Sequence, residues 1–133
     1  MAIEFRDLAR SDYEGLREFL SEQGWAERVR DPDRFREMLD RSDRTVLALE
    51  GDTIVGFARA LCDDASNGYI SMVAVAANRR RQGIGRKLVE RLLSGDADGR
   101  ITWVLRAGRV STEFWKRLGF SPSSIAMERL RNH

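Results

Sequence analysis

The chain has 133 residues and a mass of 15.2 kDa, and it is 42% apolar and 33% charged, which fits one soluble globular domain over 1–133 and not a disordered protein. The lone cysteine, Cys62, rules out an intrachain disulfide; the lone histidine, His133, argues against Ser-His-Asp or Cys-His catalysis and against a His/Cys metal site, so no metal is expected. Formal net charge is only +2, yet residues 65–89 hold no acid and five bases (Arg79, Arg80, Arg81, Arg86 and Lys87), so this segment is +5 and the rest −3: a pattern for one local anionic ligand rather than a nucleic-acid face.

No apolar run approaches the roughly 20 residues of a membrane helix. The N-terminal MAIEFRDLAR carries charges where a secretory signal would be apolar, so a cytoplasmic location and no membrane partner are expected.

In chain order, residues 3–8 alternate apolar and polar as a half-buried strand does. Ser11 with Glu14 three residues on reads as a capping box, opening a helix whose apolar stripe is Tyr13, Leu16, Phe19 and Leu20 and which Gly24 stops. Asp31-Pro32 opens a second short helix with Phe35, Met38 and Leu39 inward. TVLALE (45–50), a Gly51-Asp52 turn and TIVGFARALC form a hairpin. YISMVAVA (69–76) is apolar enough for a central strand buried on both faces.

A helix follows over 83–93, with Ile84, Leu88 and Leu92 on one face. ITWVLR (101–106) is a strand expected to lie parallel to 69–76. A last helix spans 111–118, with Ser111 or Thr112 near its cap and Gly119 as its stop. IAMERL (125–130) reads as a final short strand. The fold class is thus α/β in the mixed α+β sense, a mixed sheet covered by helices.

The segment with chemical content is YISMVAVAANRRRQGIGRKLVERLL, where a buried strand meets a basic turn and a Gly-x-Gly that opens a helix. The first N–H groups of a helix lack internal partners and sit at the positive end of its dipole. Gly83 and Gly85 would let an anion approach the backbone, and the arginines add fixed charge. A Walker loop is absent, and the dinucleotide fingerprint fails because Leu88 stands where it needs glycine.

Arg80-x-x-Gly83-x-Gly85 after an apolar strand resembles the signature of the GNAT N-acyltransferase superfamily, and FWKRLGF (114–120) resembles a second block of that family at a matching distance. The element order also resembles the family's over nearly the whole chain. The resemblance implies acetyl-CoA as donor and an N-acetyltransferase moving an acetyl group to an amine. Gln82, Gly83, Ile84, Gly85 and Arg86 would contact the pyrophosphate through backbone N–H groups, with Arg80 and Arg81 at its edge. Val73 and Val75 would pair with the pantetheine arm as an added strand does, between two parallel strands that splay apart, and the N–H near Val73 would polarise the thioester carbonyl. Trp115 would lie at the sulfur end.

Two residues depart from the family pattern. Trp115 stands where many members have a tyrosine that protonates the thiolate, and Ser71 where many have an acid. Indole is no general acid near neutral pH. Ser71 and Tyr69, expected to share a face with Val73 and Val75, are then the candidates for moving the amine's proton through water, with Asp63 and Asp64 as alternatives.

The acceptor is unspecified: a small molecule or a peptide amine. The short segment after Gly119 leaves the acceptor side open or completed by a second copy in a homodimer. Two rivals remain, a catalytically silent CoA-binding module and a nucleic-acid-binding domain using the 79–87 patch.

Overall fold

The computed structural model describes residues 2–96, 98–108 and 112–132. In chain order these contain β1 (Glu4–Arg6), α1 (Tyr13–Leu20), α2 (Pro32–Asp40), β2 (Arg44–Glu50), β3 (Thr53–Cys62), β4 (Asn67–Val75), α3 (Ile84–Leu92), β5 (Thr102–Leu105) and α4 (Thr112–Arg117). The five strands make one sheet in sequence order, antiparallel throughout except for the parallel β4–β5 pair. This is the expected mixed sheet.

The hairpin forms as read, with Gly51 at φ +61° in the turn. Asp31 caps α2, its carboxylate accepting the N–H groups of Asp33 and Arg34 at 3.0 and 3.2 Å, with Pro32 as the first helical residue. The Ser11 cap is corrected. Residues 10–12 form a 3₁₀ turn, and Asp12 rather than Ser11 accepts a free N–H, that of Ala9, at 2.7 Å. The helix of α1 does not stop cleanly at Gln23 but widens through Ser21–Trp25, with Gly24 at φ +93°.

Six consecutive residues of β3, Val55 to Ala60, are buried, which requires cover on both faces. On one face α3 presents Ile84, Leu88, Val89 and Leu92. A Cβ on Gly56 would lie 3.0 Å from Leu88 and 3.2 Å from Ile84, so glycine there lets α3 seat on the sheet. On the other face Leu16, Phe19 and Leu20 of α1 and Phe35 and Leu39 of α2 join the core.

Two further expectations fail. IAMERL is no strand: no ladder includes residues 125–130, and Ile125, Met127 and Leu130 are 89%, 97% and 66% exposed. It pairs with none of the five strands, and alternation without a partner strand leaves no ladder to stabilise it. The second failure is in β4. Between Arg59 and Ala60 the register jumps from Met72 to Ile70, so Ser71 is an extra, bulged residue. Residues directly opposite in an antiparallel ladder share a face. Tyr69 opposes Leu61, whereas Val73 opposes Ala58 and Val75 opposes Gly56. Tyr69 therefore lies on the face opposite to Val73 and Val75.

The expected cap at Ser111 lies outside the described residues.

Candidate functional site

The parallel ladder of β4 and β5 ends at Ile70 and Leu105. β4 runs on to Val75, so its edge toward β5 carries no strand partner from Ser71 onward. Where the two strands part, a groove of about 560 Å³ opens, within the size range of small-molecule sites. Its floor is Val73 to Val75, one end is the basic turn with the start of α3, and its walls come from Gln23 and Trp25 on one side and α4 on the other.

At the basic end the chain passes through two left-handed residues, Arg81 at φ +66° and Gly83 at φ +80°. Gly83 is the residue just before α3, and its carbonyl accepts the N–H of Lys87 at 3.1 Å to close the first turn. The N–H groups of the turn before that bond have no helical partner, and Gly83 to Arg86 line the groove's end. A Cβ at Gly83 would meet nothing within 4 Å. Gly85 differs: its Cβ would lie 3.2 Å from the Phe114 ring and 3.6 Å from Val75. Gly83 thus serves the turn, while Gly85 lets α4 close against α3.

Among the described residues five arginines line the groove, Arg79, Arg80, Arg81, Arg86 and Arg117, and no acid does. Arg79 is tied to Glu50 of the hairpin and Arg86 to Glu90 at 3.2 Å. Arg80 and Arg81 are exposed, with no ion-pair partner among the described residues. The Gln23 side-chain oxygen accepts the Ala77 N–H at 3.1 Å and fixes the turn to the end of α1.

Of the residues singled out in the sequence, Val73, Val75, Arg80, Arg81, Gly83, Ile84, Gly85 and Arg86 meet in this groove. Gln82 and Trp115 are not part of its wall. Trp115 is buried behind, packed edge-on to Phe114 and Phe120 with ring centres 5.0 and 5.3 Å away. Its indole N–H is buried with no hydrogen-bond partner among the described residues. The wall itself is Phe114 and Leu118, one helical turn apart, with Arg117. Sequence reading missed these, although their i, i+4 spacing in FWKRL marks them as one face.

Ser71 and Tyr69 lie beyond the groove floor along β4. The Ser71 hydroxyl oxygen accepts from two guanidinium groups, Arg28 at 3.0 Å and Arg59 at 2.8 Å. Tyr69 Oη accepts from Arg106 at 3.3 Å.

The loop acids are held as anions. Asp63 accepts three backbone N–H groups, of Ser66, Ala65 and Asn67, which hold its carboxyl far below the usual range. Asp64 is lowered chiefly by Arg44 at 2.9 Å. Burial raises the Cys62 thiol, as for a packing residue rather than a nucleophile.

Among the described residues no cluster of three His, Cys, Asp or Glu could hold a metal ion, and no helix is long and apolar enough to cross a membrane.

The acetyltransferase (GNAT) family model matches residues 3–120. No curated protein sequence matches the chain. Among solved structures, a GNAT family acetyltransferase protein of Streptococcus pneumoniae TIGR4 is 22% identical with a TM-score of 0.77, covering 99% of this chain and 98% of its own. A structure from Xanthomonas campestris pv. campestris, described as belonging to the same family, is 22% identical with a TM-score of 0.79 over 98% of this chain and 94% of its own. A GCN5-related N-acetyltransferase from Ralstonia eutropha JMP134 is 23% identical with a TM-score of 0.74, covering 97% and 99%. At these identities the structures speak for the fold alone.

Proposed function

Because the chain belongs to the GNAT acetyltransferase family, we propose that it is an N-acetyltransferase domain that takes acetyl-CoA in the groove and transfers the acetyl group to a primary amine by direct attack. The observation that carries this reading is the unpaired edge of β4, leading from Ser71 to a basic helix start. An extended, amide-bearing arm completes such an edge as an added strand would. A pyrophosphate at its end meets unsatisfied N–H groups and uncompensated arginines.

In this reading the N–H groups over 82–86 and the side chains of Arg80 and Arg81 hold the pyrophosphate. The backbone of Val73 and Val75 aligns the arm, and the N–H near Val73 stabilises the oxyanion that develops on the thioester carbonyl. The amine nitrogen forms a bond to the acetyl carbon, the carbon–sulfur bond breaks, and the sulfur leaves as thiolate. A thiol with a pKa of about 8.5 leaves without obligatory protonation.

The ammonium proton passes to water. Among the described residues the groove offers no carboxylate, and Ser71 Oγ, already accepting from two guanidinium groups, is a weak base. Catalysis therefore depends on the acceptor amine arriving neutral. Log kcat/KM should rise with a slope near one up to the acceptor's own amine pKa, with no inflection from an enzyme carboxylate. An inflection near pH 5 to 6 that does not move with the acceptor would refute this.

Thermal unfolding with acetyl-CoA, CoA, ATP and NAD in parallel tests the donor. At 100 times the dissociation constant a native-state ligand adds about 2.7 kcal/mol, or roughly 10 °C for a chain this size. Acetyl-CoA and CoA should stabilise, and ATP and NAD should not. Gly83→Glu should abolish the shift, since it puts a carboxylate at the anion site and strains a residue at φ +80°. Binding of CoA without turnover of any amine would favour the silent-module reading, for which the acid-free groove is the supporting observation.

A further inference from the structure

Gln23 and Trp25 both line the groove, although they stand two residues apart at the end of a helix. At 3.6 residues per turn, such neighbours point to opposite sides. They share one wall because the helix is opened between them. Ser21–Trp25 widens, with Gln23 at φ −93° and ψ 17° and Gly24 at φ +93°. A widened turn gives up regular helical bonds, and such turns recur where a helix serves a site.

The Gln23 side chain meets the chain at the seam between strand and basic turn. Its Oε1 accepts the Ala77 N–H at 3.1 Å, a contact between residues 54 apart in sequence. Ala77 stands two residues past Val75, where β4 ends, and two before Arg79, where the arginines begin. It is the first residue of a short 3₁₀ turn over Ala77–Arg79, so its N–H has no partner within that turn. Only the oxygen of a primary amide can accept an N–H, so this contact fixes which way the Gln23 amide is turned. Nε2, with two donors, is the end left over, and it has no hydrogen-bond partner among the described residues.

The lining offers Nε2 nothing to donate to. Among the described residues its other polar side chains are Trp25 and the five arginines, all of which donate and do not accept. The one side-chain acceptor in the wall, Gln23 Oε1, is already taken by Ala77. An oxygen brought by a ligand completes the set.

Resting on the acetyl-CoA reading of the groove, we propose that Gln23 is a donor-binding residue: its Oε1 holds the basic turn in place, and its Nε2 donates to an oxygen of CoA where the amide arm leaves β4 for the pyrophosphate. One amide thus has two separable duties. The oxygen serves the fold with or without ligand, and the nitrogen serves only the complex.

The test uses the full chain with Gln23→Met and Gln23→Glu. CoA binding is measured by calorimetry at about 0.1 M and about 1 M salt, and melting is measured without ligand. Methionine keeps the length and loses both bonds. Glutamate keeps an oxygen for Ala77 and loses the donor. Its charge also repels the phosphates, a repulsion that about 1 M salt suppresses by cutting the screening length to about 3 Å. At the higher salt both variants should bind CoA about fivefold more weakly than wild type, the effect of one hydrogen bond. Without ligand, Gln23→Met should melt below Gln23→Glu, because only methionine leaves the Ala77 N–H without its acceptor.

Wild-type affinity in Gln23→Glu at the higher salt would reduce Gln23 to a structural pin and overturn the inference, as would wild-type affinity in both variants. If Gln23→Met does not fold, Gln23→Glu decides. No binding of CoA by the wild type would instead remove the acetyl-CoA reading, and this inference with it. Variants that match a wild type that does bind CoA remove the inference alone.

Discussion

Gly83 and Gly85 are two residues apart and look interchangeable in the sequence, yet they answer to different demands. Gly83 needs its left-handed φ and faces open space, whereas Gly85 needs room for Phe114. Gly85→Val should therefore lower stability by about 1–3 kcal/mol through overpacking, read as a lower urea midpoint even without ligand. Gly83→Glu should act mainly on CoA binding.

A second residue-scale effect sits at the start of α1. Asp12 pairs with both terminal nitrogens of Arg6 at 2.8 and 2.9 Å, which chiefly lowers its pKa. A lowered folded-state pKa means the pair contributes fully above the ordinary carboxylate range and is lost as pH falls through the folded value. Asp12→Asn should cost about 1 kcal/mol at pH 7 and little at pH 2, measured by urea unfolding at the two pH values.

At the scale of elements, the β4–β5 pair sets the groove. The strands touch only over Asn67 to Ile70 against Thr102 to Leu105 and then part. Gly68 faces Trp103 so closely that a Cβ would lie 2.4 Å from the ring. Trp103 is itself held by Asp96 at 3.2 Å and lies under Arg44. Gly68→Ala must push Trp103 or the strand aside, and should cost about 1–3 kcal/mol and loosen the mouth of the groove. Circular dichroism melting should show a lower midpoint, and a midpoint unchanged from wild type would refute the tight contact. The bulge at Ser71 is the other element-scale device, because one extra residue turns Ser71 and Tyr69 away from the Val73 face.

At the scale of the whole molecule, the sheet is sealed by α1 and α2 on one side and α3 on the other, while the segment after Gly119 adds little cover. Phe120 still packs on Trp115, but beyond it Ile125, Met127 and Leu130 stand in solvent, and among the described residues Arg106 pairs with Glu128 at 3.4 Å. Ending the chain after Ser121 should shift the melting temperature by less than about 2 °C, since an exposed ion pair is worth little. A larger drop would mean that this segment packs on the fold.

The sequence by itself determined the hairpin, the order of elements as far as α4, the parallel pair and the basic turn before α3, because each rests on periodicity, turn chemistry and the helix that joins the two parallel strands. It also showed the arginine-rich helix start, since charge and glycine spacing are read directly. It did not determine the bulge in β4, since nothing in YISMV marks an extra residue until two strands are held in register. Nor did it show that Phe114 stands in the groove wall with Trp115 behind it, that IAMERL pairs with no strand, or that Arg28 and Arg59 meet on Ser71. Those are contacts between residues up to 43 apart in the chain. Tertiary packing alone decides them, because only it says which neighbours a side chain has and which strand edges stay open.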